Sequence, residues 1–191
     1  MSSAAPISFA IEPHASPVSV ADRDAALANP GFGKIFTDHM AIIRYSDTKG
    51  RHDARITARA PISLDPAAAV LHYAQEIFEG LKAYRREDGT MALFRPDANA
   101  RRFNASADRM AMPQLPEQTF IDACTKLVDI DRAWFPPVEG GSIYLRPFMF
   151  ASEVFLGVKP SAEYLFLVIA SAAGNYFKSG APAVKLMVAE Q

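Results

Sequence analysis

The chain has 191 residues, half of them hydrophobic and 21% charged, which is the profile of a globular protein with one ample core, or one domain plus part of another, and not of a disordered one. A formal net charge of −1 leaves no global basic field for nucleic acid or an acidic membrane, and a lone cysteine, Cys124, excludes an intrachain disulfide. The opening stretch MSSAAPISFAIEPHASP has neither a cationic n-region nor an unbroken apolar run, so no secretory signal is expected. The longest mostly apolar run, Tyr164–Ala173, is about half of the roughly 20 residues a spanning helix needs and reads as a buried strand. A cytoplasmic location is the resulting expectation.

Residues 1–20, rich in Ala, Ser and Pro, read as a flexible arm with one strand-like patch at Ile7–Ile11. Ala21–Asn29 suits a short helix stopped by Asn29-Pro30. GFGKIFTDHM at 31–40 has two glycines but neither a third at nucleotide-loop spacing nor a Gly-Lys-Ser/Thr, so it is not expected to cradle a phosphate. Met40–Tyr45 and Ala54–Ala58 read as a hairpin around Gly50. Asp65-Pro66 suits a helix start, and Val70, Tyr73, Ile77 and Phe78 at helical spacing predict a helix over Pro66–Phe78, ended by Gly80.

Leu81–Arg86 and Met91–Arg95 flank Asp88-Gly89, a strong hairpin signal. Helices are predicted over Asp97–Met110 and Pro116–Trp134, the second with Phe120, Ile121, Cys124, Leu127 and Val128 on one face. Strands follow at Ser142–Phe150 and Glu163–Ala172, separated by a loop, and a polar connection covers 174–182. Ala183–Gln191 reads as the beginning of a further strand-like segment, with more sequence expected beyond it.

Two sets of residues suggest chemistry. Along Ser142–Phe150 the strand period sends Tyr144, Arg146 and Phe148 to one face. An arginine among apolar neighbours must find an anion or stay wet, either by a structural ion pair with Asp or Glu or by a carboxylate-bearing ligand. On the helix at 97–110, Arg102 and Arg109 share a face while Arg101 points elsewhere. These arginines are either solvated or poised for a phosphate, which the planar guanidinium grips by paired hydrogen bonds. Glu76 and Glu79 could form an acid–base pair, but solvated helix carboxylates are the expected reading. His14, His39, His52 and His72 show no metal-ligand spacing, and no Gly-x-Ser-x-Gly elbow occurs.

Taken together, GFGKIFTDHM, LHYAQEIFEGLKAYR, LFRPDANARRFNASADRM, SIYLRPFMFASE, LGVKPS and GNYFKSGAP resemble, in order and spacing, the branched-chain amino acid aminotransferases. These are fold-type-IV enzymes dependent on pyridoxal phosphate. The resemblance implies an α/β fold, an antiparallel-rich sheet with packed helices that forms the small N-terminal domain of a two-domain enzyme. It implies that Arg102 binds the cofactor phosphate. Phe32, Tyr73 and Phe78 would be aromatic walls of the substrate pocket, with Tyr144 and Arg146 at the site and Arg146 the partner of the distal carboxylate of glutamate or 2-oxoglutarate. Tyr176 would belong to an interdomain loop, and Val158 would reach the neighbouring subunit's pocket, hence a homodimer.

The family's Schiff-base lysine precedes a Gly-Gly-Asn run, and none of the lysines at 34, 49, 82, 126, 159, 178 and 185 does. No catalytic residue is therefore expected in this chain, and the lysine is expected beyond Gln191. The implied organisation is an arm (1–20), an N-terminal domain (21–173), a connection (174–182) and the start of a second domain (183–191). The alternatives are another fold-type-IV enzyme, a D-amino acid aminotransferase or a lyase, and a non-catalytic module for binding acidic metabolites or for dimerisation.

Overall fold

The computed structural model describes residues 7–174, 183 and 185–188. Its frame is a long antiparallel sheet. The strands are β1 (Ala10–Ile11), β2 (Ile35–Ser46), β3 (Gly50–Ala58), β4 (Glu76–Phe78), β5 (Leu81–Arg85), β6 (Met91–Leu93), β7 (Ser142–Ala151) and β8 (Glu163–Ala173). They lie in the order β1-β3-β2-β8-β7-β5-β6, with β4 also paired to β7, and only the short β1–β3 contact is parallel. The helices are α1 (Val20–Leu27), α2 (Ala69–Tyr73), α3 (Pro96–Arg109) and α4 (Glu117–Ile130), followed by a 3-10 turn at Arg132–Trp134. The expected antiparallel-rich sheet with packed helices is what the chain forms, and no helix among the described residues is long and apolar enough to cross a membrane.

Strand alternation divides the central strands between two apolar layers. Tyr164, Phe166, Val168, Ala170 and Ala172 of β8 enter the main core, as do Ile143 and Leu145 of β7 and Ala41 and Ile43 of β2. Their neighbours Leu165, Leu167, Phe150, Met40 and Ile42 form a smaller cluster on the opposite face, with Phe148 and Ile169 packed against it. Helices α3 and α4 cover the main core. Phe103 of α3 packs against Phe120 of α4 and Phe166 of β8, with ring centroids 5.4 and 5.6 Å apart. The opposite face keeps the partly exposed Tyr144, Arg146 and Phe148, so the sheet itself sorts core from candidate site.

A polar latch fastens the end of α4 to β2. His39 Nδ1 lies 2.6 Å from Asp131 Oδ1, and its Nε2 accepts the His14 N–H at 2.8 Å. These partners put the imidazole proton on Nδ1, where it is donated to Asp131. Trp134 Nε1 donates to Asp38 Oδ2 beside it. Phe9 is buried in the core and Val18 N–H bonds to Asp38, so from Ile7 onward the segment expected to be loose is fastened to the sheet.

One predicted element is corrected. The helix expected over Pro66–Phe78 is only the five residues of α2, and Glu76–Phe78 is strand β4, paired with Phe148–Phe150. Ala74 ends α2 in the left-handed conformation at φ 50°, and Gly80 is not its stop. Pairing with β7 outcompetes the helical periodicity. The Ala151 N–H donates to the Gln75 carbonyl and the Glu79 N–H to the Pro147 carbonyl, bonds a continued helix would forfeit.

Candidate functional site

A cavity of about 230 Å3 opens on the face of the sheet opposite α3 and α4, lined by Phe32, Gly33, Phe36, Tyr144, Arg146, Ile169, Ala170 and Ser171. Below the roughly 300–1,000 Å3 of sites for drug-sized ligands, it suits a metabolite. Each wall has a local cause. Gly31 and Gly33 take left-handed backbone (φ 59° and 70°), and the Gly174 N–H donates to the Gly31 carbonyl, which turns the loop so that Phe32 meets the Tyr144 ring edge-on at 5.0 Å. The glycines serve a turn, not a phosphate. Phe36 lies where the β2–β8 register slips between Phe36 and Met40, and such a bulge re-aims side chains.

Among the described residues Arg146 is the only cation on this wall, and none of them gives it a carboxylate partner. Its Nη2 donates to the Tyr144 hydroxyl at 2.9 Å, and its Cζ lies 4.5 Å from the Phe78 ring centroid. Its Nε is buried with no hydrogen-bond partner. Of the two readings of this arginine, the structural ion pair is therefore not what the fold provides. Aromatic faces stabilise the cation instead, each by about 0.5–2 kcal/mol, and leave its charge available to an anionic ligand.

The turn from β4 to β5 ties the remaining residues together. Phe78 lies against Arg146. Glu79 is buried, 4% exposed, and grips Arg102 of α3 by two parallel bonds, Nε to Oε1 at 2.5 Å and Nη2 to Oε2 at 2.7 Å. Asn99, one turn earlier on the same helix face, adds a third bond at 2.8 Å. Gly80 stands where the Tyr144 hydroxyl approaches the backbone too closely for any Cβ. Burial alone would raise the Glu79 carboxyl, but the hydrogen bonds from Arg102 and Asn99 and the Arg102 charge outweigh it and hold it below the usual carboxylate value. Glu79 is thus not the solvated carboxylate expected from sequence. Arg102 keeps an exposed side chain beyond this contact, whereas Arg101 pairs with Asp97 on the surface.

The fold brings Phe32, Tyr144, Arg146 and Phe78 into one place, and Arg102 meets Glu79 in the adjoining β4–β5 turn. It does not bring Tyr73 or Val158 to the cavity. Tyr73, separated from Phe78 by the strand break, stacks on Phe155 with centroids 6.2 Å apart, and Val158 is 96% exposed on the loop between β7 and β8. Tyr176 lies outside the described residues. Phe36, Ile169 and Gly80 were not predicted as site residues, and Glu79 was weighed only as an acid–base carboxylate and expected to be solvated. Only Glu79 and Gly80 had a sequence signal, their place directly after Phe78.

The chain is 57% identical over 182 residues to a Streptomyces coelicolor protein named "probable branched-chain-amino-acid aminotransferase", a match covering 94% of this chain and 50% of that protein. It is 50% identical over 187 residues to the branched-chain-amino-acid aminotransferase of Mycolicibacterium smegmatis, covering 97% of this chain and 51% of that one. The chain belongs to the branched-chain aminotransferase family. It matches an N-terminal portion and spans about half the length of these curated relatives. No protein-family model matches it.

Among solved structures, it superimposes on the branched-chain aminotransferase of Thermoproteus uzoniensis with norvaline (TM-score 0.58, 18% identity, 73% of this chain and 43% of that one). It also superimposes on the branched-chain amino acid aminotransferase of Escherichia coli (TM-score 0.55, 22% identity, 74% and 42%). These likenesses establish the fold of the family's small domain.

Proposed function

We propose that this chain is the substrate-recognising part of a pyridoxal-phosphate-dependent transaminase that moves amino groups between leucine, isoleucine or valine and 2-oxoglutarate, regenerating glutamate. One observation carries the reading: Arg146 lines an aromatic cavity without a carboxylate partner among the described residues. A transaminase must accept an aliphatic side chain in one half-reaction and an acidic one in the other. The walls of Phe32, Phe36 and Ile169 favour the aliphatic chain by burial, worth roughly 1.5–3 kcal/mol per side chain. Arg146, already held by Phe78 and Tyr144, tolerates that occupant and offers paired hydrogen bonds when a carboxylate arrives.

Arg102 fits the cofactor phosphate, because Glu79 occupies one edge of its guanidinium and the rest of an exposed side chain is left to an anion. When bound, pyridoxal phosphate supplies the electron sink for amino transfer. The residues of this chain bind and orient, and they shield the reacting atoms from water. Tyr73, Val158 and Tyr176 are assigned on resemblance. The exposure of Val158 supports a role in a homodimer, where it would reach the other protomer's pocket. The proposed boundaries remain an N-terminal domain to residue 173, a connection at 174–182 and a second domain from 183, and the proposed location is the cytoplasm.

No lysine here precedes a Gly-Gly-Asn run, so the Schiff-base lysine is assigned to the half of the enzyme that this chain does not span. The test joins this chain to the C-terminal half of the Streptomyces relative and assays leucine with 2-oxoglutarate. The joined protein should turn over and the 191-residue chain should not. Turnover of D-alanine with none of leucine would contradict the substrate reading. Activity of the short chain would contradict the lysine assignment.

A further inference from the structure

Each of the three residues Phe78, Glu79 and Gly80 holds one side chain of the site: Arg146, Arg102 and Tyr144. Only Glu79 is charged, and it occupies one edge of the Arg102 guanidinium. We propose that Glu79 is a positioning residue for anion recognition, holding the Arg102 guanidinium by one edge so that the opposite edge stands preset for a phosphate monoester. The inference rests on the assignment of Arg102 to the cofactor phosphate.

Three observations carry it. Glu79 is buried in the turn between β4 and β5, where a carboxylate is costly unless it is paired. It is itself fixed, by Asn99 Nδ2 at 2.8 Å and by the Gly80 N–H at 3.3 Å, so Arg102 is the mobile partner and Glu79 the anchor. The pairing uses Nε and Nη2 of Arg102, and a guanidinium has five N–H donors in a fixed fork, so the Nη1 edge stays open. Arg102 is a long, 68% exposed side chain that would otherwise sample many rotamers.

Two effects compete. The carboxylate charge repels an incoming phosphate, while its grip removes the ordering cost of the arginine. Water screens the repulsion at the exposed outer edge, whereas the ordering gain is not screened, so positioning dominates.

The test titrates the 15N-labelled 191-residue chain with inorganic phosphate at fixed ionic strength, following the Arg102 Nε–Hε signal and nearby backbone amides by NMR. Wild type should give a sharp Arg102 signal that shifts saturably, and Arg102→Ala should lose the phosphate response. Glu79→Gln should broaden the Arg102 signal and weaken phosphate binding about three- to tenfold. Asn99→Ala, which loosens the anchor and leaves its charge, should weaken binding in the same direction and serves if Glu79→Gln does not fold. Equal or tighter binding by Glu79→Gln, with no response from Arg102→Ala, overturns the positioning role and leaves the phosphate assignment standing. Absence of a saturable response at Arg102 in wild type, or unchanged binding by Arg102→Ala, overturns the phosphate assignment and this inference with it.

Discussion

A Cβ built on Gly80 would collide with the Tyr144 hydroxyl and stand 3.0 Å from its ring Cζ. Relief requires the Tyr144 ring to move, so Gly80→Ala should cost about 1–3 kcal/mol of stability while it separates Tyr144 from Arg146. Calorimetry with 2-oxoglutarate on a two-domain protein should then show affinity reduced about tenfold, with the melting temperature lowered by only several degrees. Glu79 gives a pH signature. Its folded-state value lies below the ordinary carboxylate value of about 4.3, so its stabilisation is complete above that pH and is lost as pH falls through the lower folded value. Denaturant titrations at several pH values should show the stability gap between wild type and Glu79→Gln constant near neutrality and closing below about pH 4. Tyr144 and Arg146 were legible in the sequence because a period of two puts both on one face of a strand. Glu79 was not, because its burial depends on α3 delivering Arg102 and Asn99 from 20 or more residues away in sequence.

Elements with strong local signals form where the sequence predicts them. The Asp88-Gly89 hairpin closes with Ala83 opposite Leu93, and α3 and α4 match their predicted ranges within a few residues. The clearest failure is at 66–78, where apolar residues at helical spacing belong to two elements, and the described residues of the strand-like segment at 183–191 form no strand. The backbone bonds that decide between them come from β7, roughly 70 positions later. The bulge that places Phe36 is equally hidden, since it exists only in the pairing with β8. The α3–α4 layer carries the core, and Phe103 is fully buried between Phe120 and Phe166. Phe103→Ala should therefore destabilise the chain by about 3–5 kcal/mol in urea unfolding.

At the scale of the molecule, one sheet separates two tasks. Its helix-covered face holds the core, and its other face holds an arginine among aromatics. Cys124 reports on the first: it is fully buried, and burial pushes its thiol well above the usual range. A thiol reagent at neutral pH should label it only at the rate of global opening, so labelling should accelerate in Phe103→Ala. The second task is the substance of the functional proposal, and Arg146→Met in the two-domain protein tests it most directly, read as separate half-reactions. The expected result is that KM for 2-oxoglutarate rises about a hundredfold while the leucine half-reaction keeps its rate and KM within about threefold. An equal loss in both half-reactions would contradict it.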